Sequence, residues 1–490
     1  MNKLVAATIA ALSLSVGNSI AGDPDPWIGP VPRAVCSPGD RTESGLQGQT
    51  TPAERASGDS QLGYRCNLEL VGQVRGEGTW SQKGPAYLDD CAYYGTDSNA
   101  NMQHKGVTVV DASDPHNPRI TAYLDDTTSM LDPHETLKSN DRRRLLAGSQ
   151  RDGEGFALYD LARDCRFPVR TADIRLANSR AHMGGFAPDG NTYYVGQTNR
   201  GIGGLMAIVD TSDASNPKHL LNWQFLGDGR PHDVNVSKDG MRLYSGQPGT
   251  FGNTGSSIGP NGLVVLDVSD VQNRLPSPQI RIVSRLFWAD SGQAEQMLPI
   301  MIKGRKYIIS TDESGGQGGV GGFAAACTRG AHPFGFAQLI DITDETNPKL
   351  VSRLMLEASA NANCKQQLAD PPQVGGARPD YSGERCTVDR ENNARIAACG
   401  YRDAGLRVFD IRDPYRPREI AYYKPGAART AFIPGSGSWS PTTDRTVDRI
   451  AGLPRIVRHG QELHIWFVSD DNGFQIVRFT DRAQDVLKGD

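Results

Sequence analysis

Short apolar runs that end in an aspartate recur along this chain, and a turn sequence that often contains Asn-Pro follows each. Apolar runs of this length between turn residues predict β-strands, and no long stretch has the 3.6-residue periodicity of an amphipathic helix. The clear copies end at Asp111, Asp210, Asp267, Asp341 and Asp410, and degenerate copies end at Asp160 and Arg478. The pattern therefore predicts seven similar units.

A hairpin precedes each strand of this kind. Residues 182–196 and 232–246 show it best, since apolar alternation flanks an Asp-Gly turn at Asp189 and at Asp239. With the strand that follows the aspartate, one unit comprises four antiparallel strands, A to D, in roughly 50 residues, as in a propeller blade. A single blade cannot bury both of its faces, so the sequence predicts an all-β, seven-bladed β-propeller.

Two segments far apart in the sequence together supply the seventh blade. Residues 452–480 hold only three strands, whereas residues 67–73 form an apolar strand without a hairpin of its own. We expect this early strand to complete the last blade, because a closed ring has no open strand edge. The predicted organisation is a signal peptide at 1–21, an irregular N-terminal arm at 22–65, the propeller at 66–480 and a tail at 481–490.

The repeat resembles that of the LVIVD-repeat family of bacterial propellers, which is named for an apolar strand ending in aspartate. The resemblance covers about residues 66–480 and is strongest at residues 395–414, where a hairpin leads into the strand ending at Asp410. It implies the propeller fold. It implies no particular activity, because propellers host unrelated functions.

The N-terminus and the composition indicate an exported protein. Lys3 precedes an apolar stretch at residues 4–16, and Ser19 and Ala21 fit the cleavage site of a secretory signal peptide. The stretch is too short to span a bilayer, so we expect a secreted, periplasmic or extracellular monomer without a transmembrane segment. The net charge of −4, with both signs interspersed, lacks the basic face typical of nucleic-acid binding.

Eight cysteines in an exported chain favour four disulfide bonds. From their places in the predicted blades and loops, we predict the pairs Cys36–Cys66, Cys91–Cys165, Cys327–Cys364 and Cys386–Cys399. An alternative joins Cys364 to Cys386 and Cys327 to Cys399. Spacing alone does not decide between these connectivities.

The alternating strand direction divides the connections between two faces of the ring. The D–A and B–C loops lie on one face, here called the site face, and the A–B and C–D turns lie on the other, here called the turn face. The longest insertions, residues 251–262, 314–336, 357–385 and 424–453, all belong to the site face. Because long loops usually carry function, we expect this face to bind a protein or glycan partner.

Three histidines recur in register in consecutive blades. His134, His182 and His232 each lie 14 residues before the glycine of the following strand, and Glu295 holds the equivalent position in the next blade. We expect these side chains to converge at the channel mouth, where strand A begins. Neutral imidazoles with a carboxylate suit a transition metal such as copper, zinc or iron. The alternative is structural, with each histidine bonding backbone and holding neighbouring blades together.

Residues beside the histidines extend this candidate site. Arg180 and Arg230 each precede a histidine by two residues and could contact an anionic substrate, while Gln197 and Gln247 follow the glycines. Cys386 occupies the register of the histidines in the sixth blade. The recurring aspartates are instead expected to be turn residues whose carboxylates accept backbone N–H bonds.

Two classes of function are consistent with the sequence. One is a recognition scaffold that uses the site face, which accounts for the fold and the export. The other is a metal-binding protein or metal-dependent enzyme built on His134, His182, His232 and Glu295. The sequence contains neither a phosphate-binding loop nor a serine-hydrolase motif, and it identifies no catalytic residue.

Overall fold

Seven antiparallel sheets of four or five strands form the blades of the protein, and the seven-bladed propeller predicted from the repeats is confirmed. The structure is a computed structural model. The residues it describes are 23–76, 84–95, 104–196, 204–225, 230–249, 261–290, 292–315, 322–370, 379–427, 430–433, 438–441 and 447–480. The predicted signal peptide and tail, Gln197 and most of the 251–262 insertion lie outside these residues.

The strands follow one another along the chain as the repeats predict. The arm ends in β1 (Tyr64–Cys66) and β2 (Leu68–Val74). Blades 1 to 3 consist of β3 (Ala86–Leu88), β4 (Cys91–Gly95), β5 (Val107–Asp111) and β6 (Arg119–Leu124); β7 (Lys138–Asn140), β8 (Leu145–Ser149), β9 (Gly155–Asp160) and β10 (Val169–Arg175); and β11 (Met183–Phe186), β12 (Thr192–Gly196), β13 (Leu205–Asp210) and β14 (Lys218–Gln224).

The remaining blades are built in the same way. Blades 4 to 6 consist of β15 (Asp233–Val236), β16 (Arg242–Gln247), β17 (Gly262–Asp267) and β18 (Arg281–Phe287); β19 (Ala294–Ile302), β20 (Arg305–Asp312), β21 (Ala337–Asp341) and β22 (Lys349–Leu354); and β23 (Arg385–Val388), β24 (Ile396–Gly400), β25 (Leu406–Asp410) and β26 (Arg418–Lys424). A separate hairpin, β27 (Thr430–Ile433) and β28 (Ser438–Pro441), precedes the blade-7 strands β29 (Arg455–His459), β30 (Glu462–Ser469) and β31 (Gly473–Phe479).

The ring closes as the sequence predicts. Strand β2 pairs antiparallel with β31 and so becomes strand D of blade 7. Strand β1 pairs with β26 and adds a fifth strand to blade 6, which the sequence did not predict. The N-terminal arm therefore spans the outer edges of the last two blades.

The arm is more regular than predicted. Helix α1 (Pro52–Ser57) begins with a capping box, in which the Thr51 hydroxyl accepts from the Glu54 N–H and the Glu54 carboxylate accepts from the Thr51 N–H. Nearer the start of the arm, the Trp27 backbone N–H donates to the carbonyl of Val351 on β22. The other helices, which lie in loops, are α2 (Ser269–Gln272), α3 (Gly322–Thr328) and α4 (Cys364–Ala369). Among the described residues, no helix is long and apolar enough to cross a membrane.

The hydrophobic core lies between neighbouring blades. One cluster joins Tyr93 of blade 1 to Leu146 of blade 2, and another joins Tyr194 of blade 3 to Leu243 of blade 4. All four side chains are fully buried. Each blade therefore contributes both faces to packing, as stacking around an axis requires.

The recurring aspartates are turn residues, as expected. In each clear repeat the carboxylate accepts the backbone N–H two residues later, at distances of 2.8 to 3.2 Å. The donors are Ser113, Ser212, Ser269, Thr343 and Arg412. These carboxylates serve the strand C to strand D connection on the turn face.

Four disulfide bonds join the pairs that the sequence analysis placed first. They are Cys36–Cys66, Cys91–Cys165, Cys327–Cys364 and Cys386–Cys399. The first ties the arm to β1, and the third joins α3 to α4 between two long loops of the site face. The Cys364–Cys386 alternative is wrong, because Cys386 lies directly opposite Cys399 in the blade-6 hairpin.

Candidate functional site

Strand A of blades 3 and 4 presents two histidines side by side at the channel mouth. The His182 N–H donates to the Gly196 carbonyl at 2.9 Å, and the His232 N–H donates to the Gly246 carbonyl at 2.7 Å. The same backbone bond therefore fixes each histidine just before its strand. The ring centroids of His182 and His232 are 5.0 Å apart.

His134 reaches the same place by a different route. It does not begin strand A of blade 2, as the spacing predicted, because β7 starts four positions later at Lys138. His134 has a φ of 46°, in the left-handed region that few non-glycine residues adopt. In an extended strand Glu135 would point away from its neighbour, but this backbone turn brings Glu135 and His134 into contact, with the Nε2 and Oε1 atoms 3.6 Å apart.

Glu135 and two histidines form a compact ligand triangle. The Nε2 atoms of His182 and His232 are 3.2 Å apart, and Oε2 of Glu135 lies 3.4 Å from the first and 4.0 Å from the second. A circle through these three atoms has a radius of about 2.1 Å, which matches the bond lengths of about 2.0–2.2 Å between zinc and imidazole or carboxylate. A transition-metal ion at its centre would contact all three.

Burial favours the neutral form of one histidine of the triangle, His182. Nδ1 of His232 lies 3.2 Å from the carbonyl oxygen of Ala294, which can only accept, so Nδ1 carries the proton. The other ring nitrogen of His232, Nε2, is the one that faces His182. Burial holds the pKa of His182 well below its usual value, and the neighbouring His134 acts in the same direction. Neutral imidazole is the form that binds metals.

Glu295, the predicted carboxylate ligand, adjoins two members of the triangle, His232 and Glu135. One of its oxygens is within 4.8 Å of ligand atoms of His232 and Glu135. Its Oε1 atom is 2.8 Å from Nη2 of Arg385, which also lies 3.1 Å from Oε2 of Glu135. Burial raises the pKa of Glu295 well above its usual value. Glu295 therefore contacts Arg385 and also lies within reach of a metal ion shared with His232 and Glu135.

The buried guanidinium of Arg385 connects the carboxylates of this region. Its side chain is 2% exposed, and Nη1 lies 3.5 Å from Oδ2 of Asp233. Burial acts to lower the pKa of Arg385, but Glu295 and Glu135 outweigh it and raise the pKa above its usual value. A permanent positive charge thus balances carboxylates that would otherwise repel one another.

A second arginine holds another acidic residue beside the triangle. Oε1 of Glu313 is 3.7 Å from Nε2 of His232, and Oε2 of Glu313 is 3.2 Å from Nη2 of Arg402. Arg402 also pairs with Glu384 and Asp380. Glu313 is therefore available as a further ligand or as a proton acceptor next to the histidines.

The register of blade 6 differs from the one predicted. The Glu384 N–H donates to the Gly400 carbonyl at 2.9 Å, which is the bond that His182 and His232 make in their blades. The position of the histidines is thus taken by Glu384, and the assignment of Cys386 to it was wrong. The hairpin of blade 6 is two residues longer than that of blade 3. Arg385 pairs with Gly400, 15 positions later, whereas Met183 pairs with Gly196, 13 positions later.

The predicted substrate-contacting residues lie around this centre to different degrees. Arg180 is exposed and Arg230 is half-buried, both two positions before a triangle histidine. Gln247 is fully buried and donates to the Ser245 hydroxyl of its own strand at 2.9 Å. The sequence analysis missed Glu135, Glu313 and the arginines that hold the carboxylates. Only Glu135, next to His134, offered a signal, since acidic neighbours of a candidate ligand are worth testing as ligands.

Solved structures share the fold. No protein-family profile and no curated protein sequence matches the chain. Hydrazine synthase of Kuenenia stuttgartiensis is 12% identical with a TM-score of 0.50, over 83% of this chain and 97% of that one. Sqt1 of Saccharomyces cerevisiae is 8% identical with a TM-score of 0.48, over 84% of this chain and 98% of that one. At 12% identity the likeness to hydrazine synthase concerns the propeller fold alone, which is compatible with a binding scaffold.

Proposed function

We propose that this propeller binds a transition-metal ion, copper, zinc or iron, at the site-face mouth of its channel. The ligands are His182, His232 and Glu135, with His134 and Glu313 adjoining them. The observation that carries the proposal is the triangle of ligand atoms, whose centre lies one metal–ligand bond from each. Imidazole and carboxylate together are the donor set of such ions.

The surroundings of the triangle support this function. Metal-binding histidines usually donate their other ring N–H to a carbonyl or carboxylate, and Nδ1 of His232 bonds the carbonyl of Ala294. Arg385 contacts Glu135 in the same way that second-layer groups orient a ligand carboxylate. The competing structural explanation is a simple hydrogen bond from Nε2 of His182 to Nε2 of His232.

Metal analysis distinguishes these explanations. The whole protein is loaded separately with zinc, copper and iron, desalted and analysed by mass spectrometry, beside the variants His182→Ala and Glu135→Gln. We expect about one ion per chain in the unchanged protein and a loss of at least tenfold in affinity in either variant. His219→Ala, on the outer strand of blade 3, is the matched control. Equal metal content in His182→Ala and the unchanged protein would reject the site.

A second candidate function is a recognition scaffold for a protein or glycan. It is favoured by the disulfide bond that joins two loops of the site face. The Cys327–Cys364 bond joins α3 to α4, so two long loops are held together beside the channel mouth. A preformed surface loses less entropy on binding. Glycan-array binding that is lost in Cys327→Ser/Cys364→Ser but kept in His182→Ala would favour this function over metal binding.

The compartment and the family complete the proposal. Four disulfides without a free cysteine among the described residues suit an oxidising compartment, so we place the protein outside the cytoplasm. The repeat supports membership of the LVIVD-repeat family. We treat the protein as a monomer, and gel filtration at several concentrations tests that.

A further inference from the structure

A cavity lies on the turn face, on the opposite side of the ring from the ligand triangle. It has a volume of about 790 Å³ and opens between blades 5 and 6. Three connections line it: the A–B turn of blade 5 at Lys303, the A–B turn of blade 6 at residues 390–395, and the C–D turn of blade 6 at residues 410–418. A cavity of this size falls in the range of small-ligand sites.

The lining of this cavity is strongly cationic, although the whole chain carries a net charge of −4. Its basic residues are Lys303, Arg390, Arg395, Arg412, Arg416 and Arg418, and its acidic residues are Asp410 and Asp413. A third carboxylate, Asp389, pairs with two of the arginines. Six positive charges thus face three negative ones, and the excess attracts anions.

The carboxylates do not neutralise the arginines one for one. Asp410 is shared by Arg412 and Arg418, with contacts of 2.9 and 3.1 Å. Asp389 is likewise shared by Arg390 and Arg395, at 3.3 and 3.1 Å. Asp410 and Asp389 therefore each balance a single charge of the arginine pair that they contact.

The repeat itself shows that Arg412 is not needed for the fold. In blades 1, 3 and 5 the equivalent residues are Ser113, Ser212 and Thr343, and their N–H groups make the same bond to the preceding aspartate. The strand-D arginine that bonds this aspartate is also present in blade 1, where Arg119 pairs with Asp111. The turn therefore forms without a side chain like that of Arg412.

Arg416 departs from the repeat in the same turn. Blades 1, 3 and 5 have Asn117, Asn216 and Asn347 at this position. Each of these residues, like Arg416, donates its backbone N–H to the carbonyl of the aspartate three positions earlier, at 3.0 or 3.1 Å. The Arg416 side chain instead reaches the carbonyl of Asp25 and lies over the ring of Trp27. No carboxylate pairs with Arg416 or with Lys303 in the part of the chain that the structure describes.

We infer that this cavity is a binding site for a multiply charged oxyanion, such as a chain of phosphates or a sulfated oligosaccharide. Guanidinium groups present two parallel N–H donors that match phosphate and sulfate oxygens. Blade 6 has two arginines at a turn that blades 1, 3 and 5 build without them, and both line this cavity together with four other cationic residues. The lining of this cavity shares no residue with the ligand triangle.

Titration calorimetry at low ionic strength tests the inference. The probes are tripolyphosphate and a sulfated disaccharide. Orthophosphate, which has a single phosphate group, is the comparison. We expect either multivalent probe to bind at least tenfold more tightly than orthophosphate, with an affinity that falls as salt rises. The tighter of the two multivalent probes identifies the source of the ligand.

The decisive variant returns the blade-6 turn to the repeat at Arg412 and also removes the cation of the blade-5 turn, Lys303. Arg412→Ser combined with Lys303→Asn removes two cations, and asparagine suits the left-handed φ of 49° at Lys303. We expect at least a tenfold loss of affinity with unchanged circular dichroism. Lys218→Gln, at the first position of strand D in blade 3, is the control and should bind as the unchanged protein does.

Three results would overturn the inference. They are no binding of either multivalent probe, full affinity in Arg412→Ser/Lys303→Asn, or an equal loss in Lys218→Gln. If the double variant fails to fold, Arg390→Gln replaces it, because that side chain is 48% exposed and its removal leaves Asp389 paired with Arg395.

Discussion

At the scale of single residues, the ligand triangle depends on a close contact at Gly246. A Cβ atom at Gly246 would lie 2.0 Å from the carbonyl oxygen of Glu295, a distance that no real contact tolerates. The backbone of blade 5 would have to move, and with it the Ala294 carbonyl that orients His232. Close packing of blade on blade thus fixes the ligand position.

We predict that Gly246→Ala lowers the free energy of unfolding by about 1–3 kcal/mol and weakens metal binding. Gly196→Ala is the matched control, because Gly196 holds the same register in blade 3 and its added Cβ would lie 3.2 Å from the nearest atom. Urea unfolding and metal titration measure the two effects. Equal effects of the two substitutions would contradict the prediction.

Asp448 gives the stability a pH dependence. Burial, followed by Asp471 and Asp470, raises the pKa of Asp448 to about 7. The folded state therefore favours the protonated carboxyl, whereas the unfolded chain ionises it near its ordinary value of about 4. This contribution to stability is complete at low pH and is lost as the pH rises from about 4 through 7.

We predict that Asp448→Asn flattens this dependence. Between pH 5 and pH 8 the unchanged protein should lose roughly 1–3 kcal/mol more unfolding free energy than the variant, because the amide does not ionise. Urea unfolding across this pH range measures the difference. Parallel curves for the two proteins would show that Asp448 does not carry the effect.

The residues of the candidate site were predictable only where the backbone is regular. His182 and His232 precede ordinary strands, so counting positions placed them correctly in space. Glu135 faces the triangle because His134 adopts a left-handed backbone, which no periodicity encodes. Glu384 replaces Cys386 in the register because one hairpin is two residues longer, a length that apolar alternation alone does not fix.

At the scale of elements, Asn67 is the point where the chain passes from blade 6 to blade 7. It separates β1 from β2 and has a φ of 57°. Its side-chain amide donates to the carbonyls of Val35 and Ile420, and its oxygen accepts from the Ser37 hydroxyl. One residue therefore supplies both the backbone turn and the bonds that hold it.

We predict that Asn67→Ala destabilises the protein by about 2–4 kcal/mol, and Asn67→Gly by about 1 kcal/mol less. Both variants lose the side-chain bonds, but only alanine is strained by the left-handed backbone. Thermal unfolding of the two variants measures the difference. Alanine and glycine variants of equal stability would show that strain at this position is unimportant.

The elements themselves were largely predictable, with one instructive exception. Seven apolar strands in register fixed the blades, and the lone strand at residues 67–73 pointed to ring closure. Strand β1 has only three residues and no alternation of its own, and it reaches blade 6 through the turn at Asn67. Its pairing follows from tertiary position, which a single sequence pattern does not carry.

At the scale of the whole molecule, a metal at the triangle would link three blades. Glu135 precedes strand A of blade 2, His182 that of blade 3 and His232 that of blade 4. A ligand that binds only the folded ring stabilises it by mass action. We predict that free metal at 100 times its Kd raises the free energy of unfolding by about 2.7 kcal/mol.

Urea unfolding with and without metal measures this linkage, and a chelator should reverse it. His182→Ala should show no metal-dependent change while keeping a cooperative transition. The same stabilisation in His182→Ala would mean that the metal acts elsewhere on the molecule.

Because β2 must pair with β31, the ring closes only after both of these strands have been made. Glu69 and Arg478, 409 positions apart, form an ion pair between the strands that meet at the seam. During synthesis β2 emerges early and pairs only after β31, the last strand among the described residues, has been made. A chain that stops short leaves β2 with an unpaired edge, which invites aggregation or proteolysis. Pairing at the seam thereby distinguishes chains that have reached β31 from chains that stop before it.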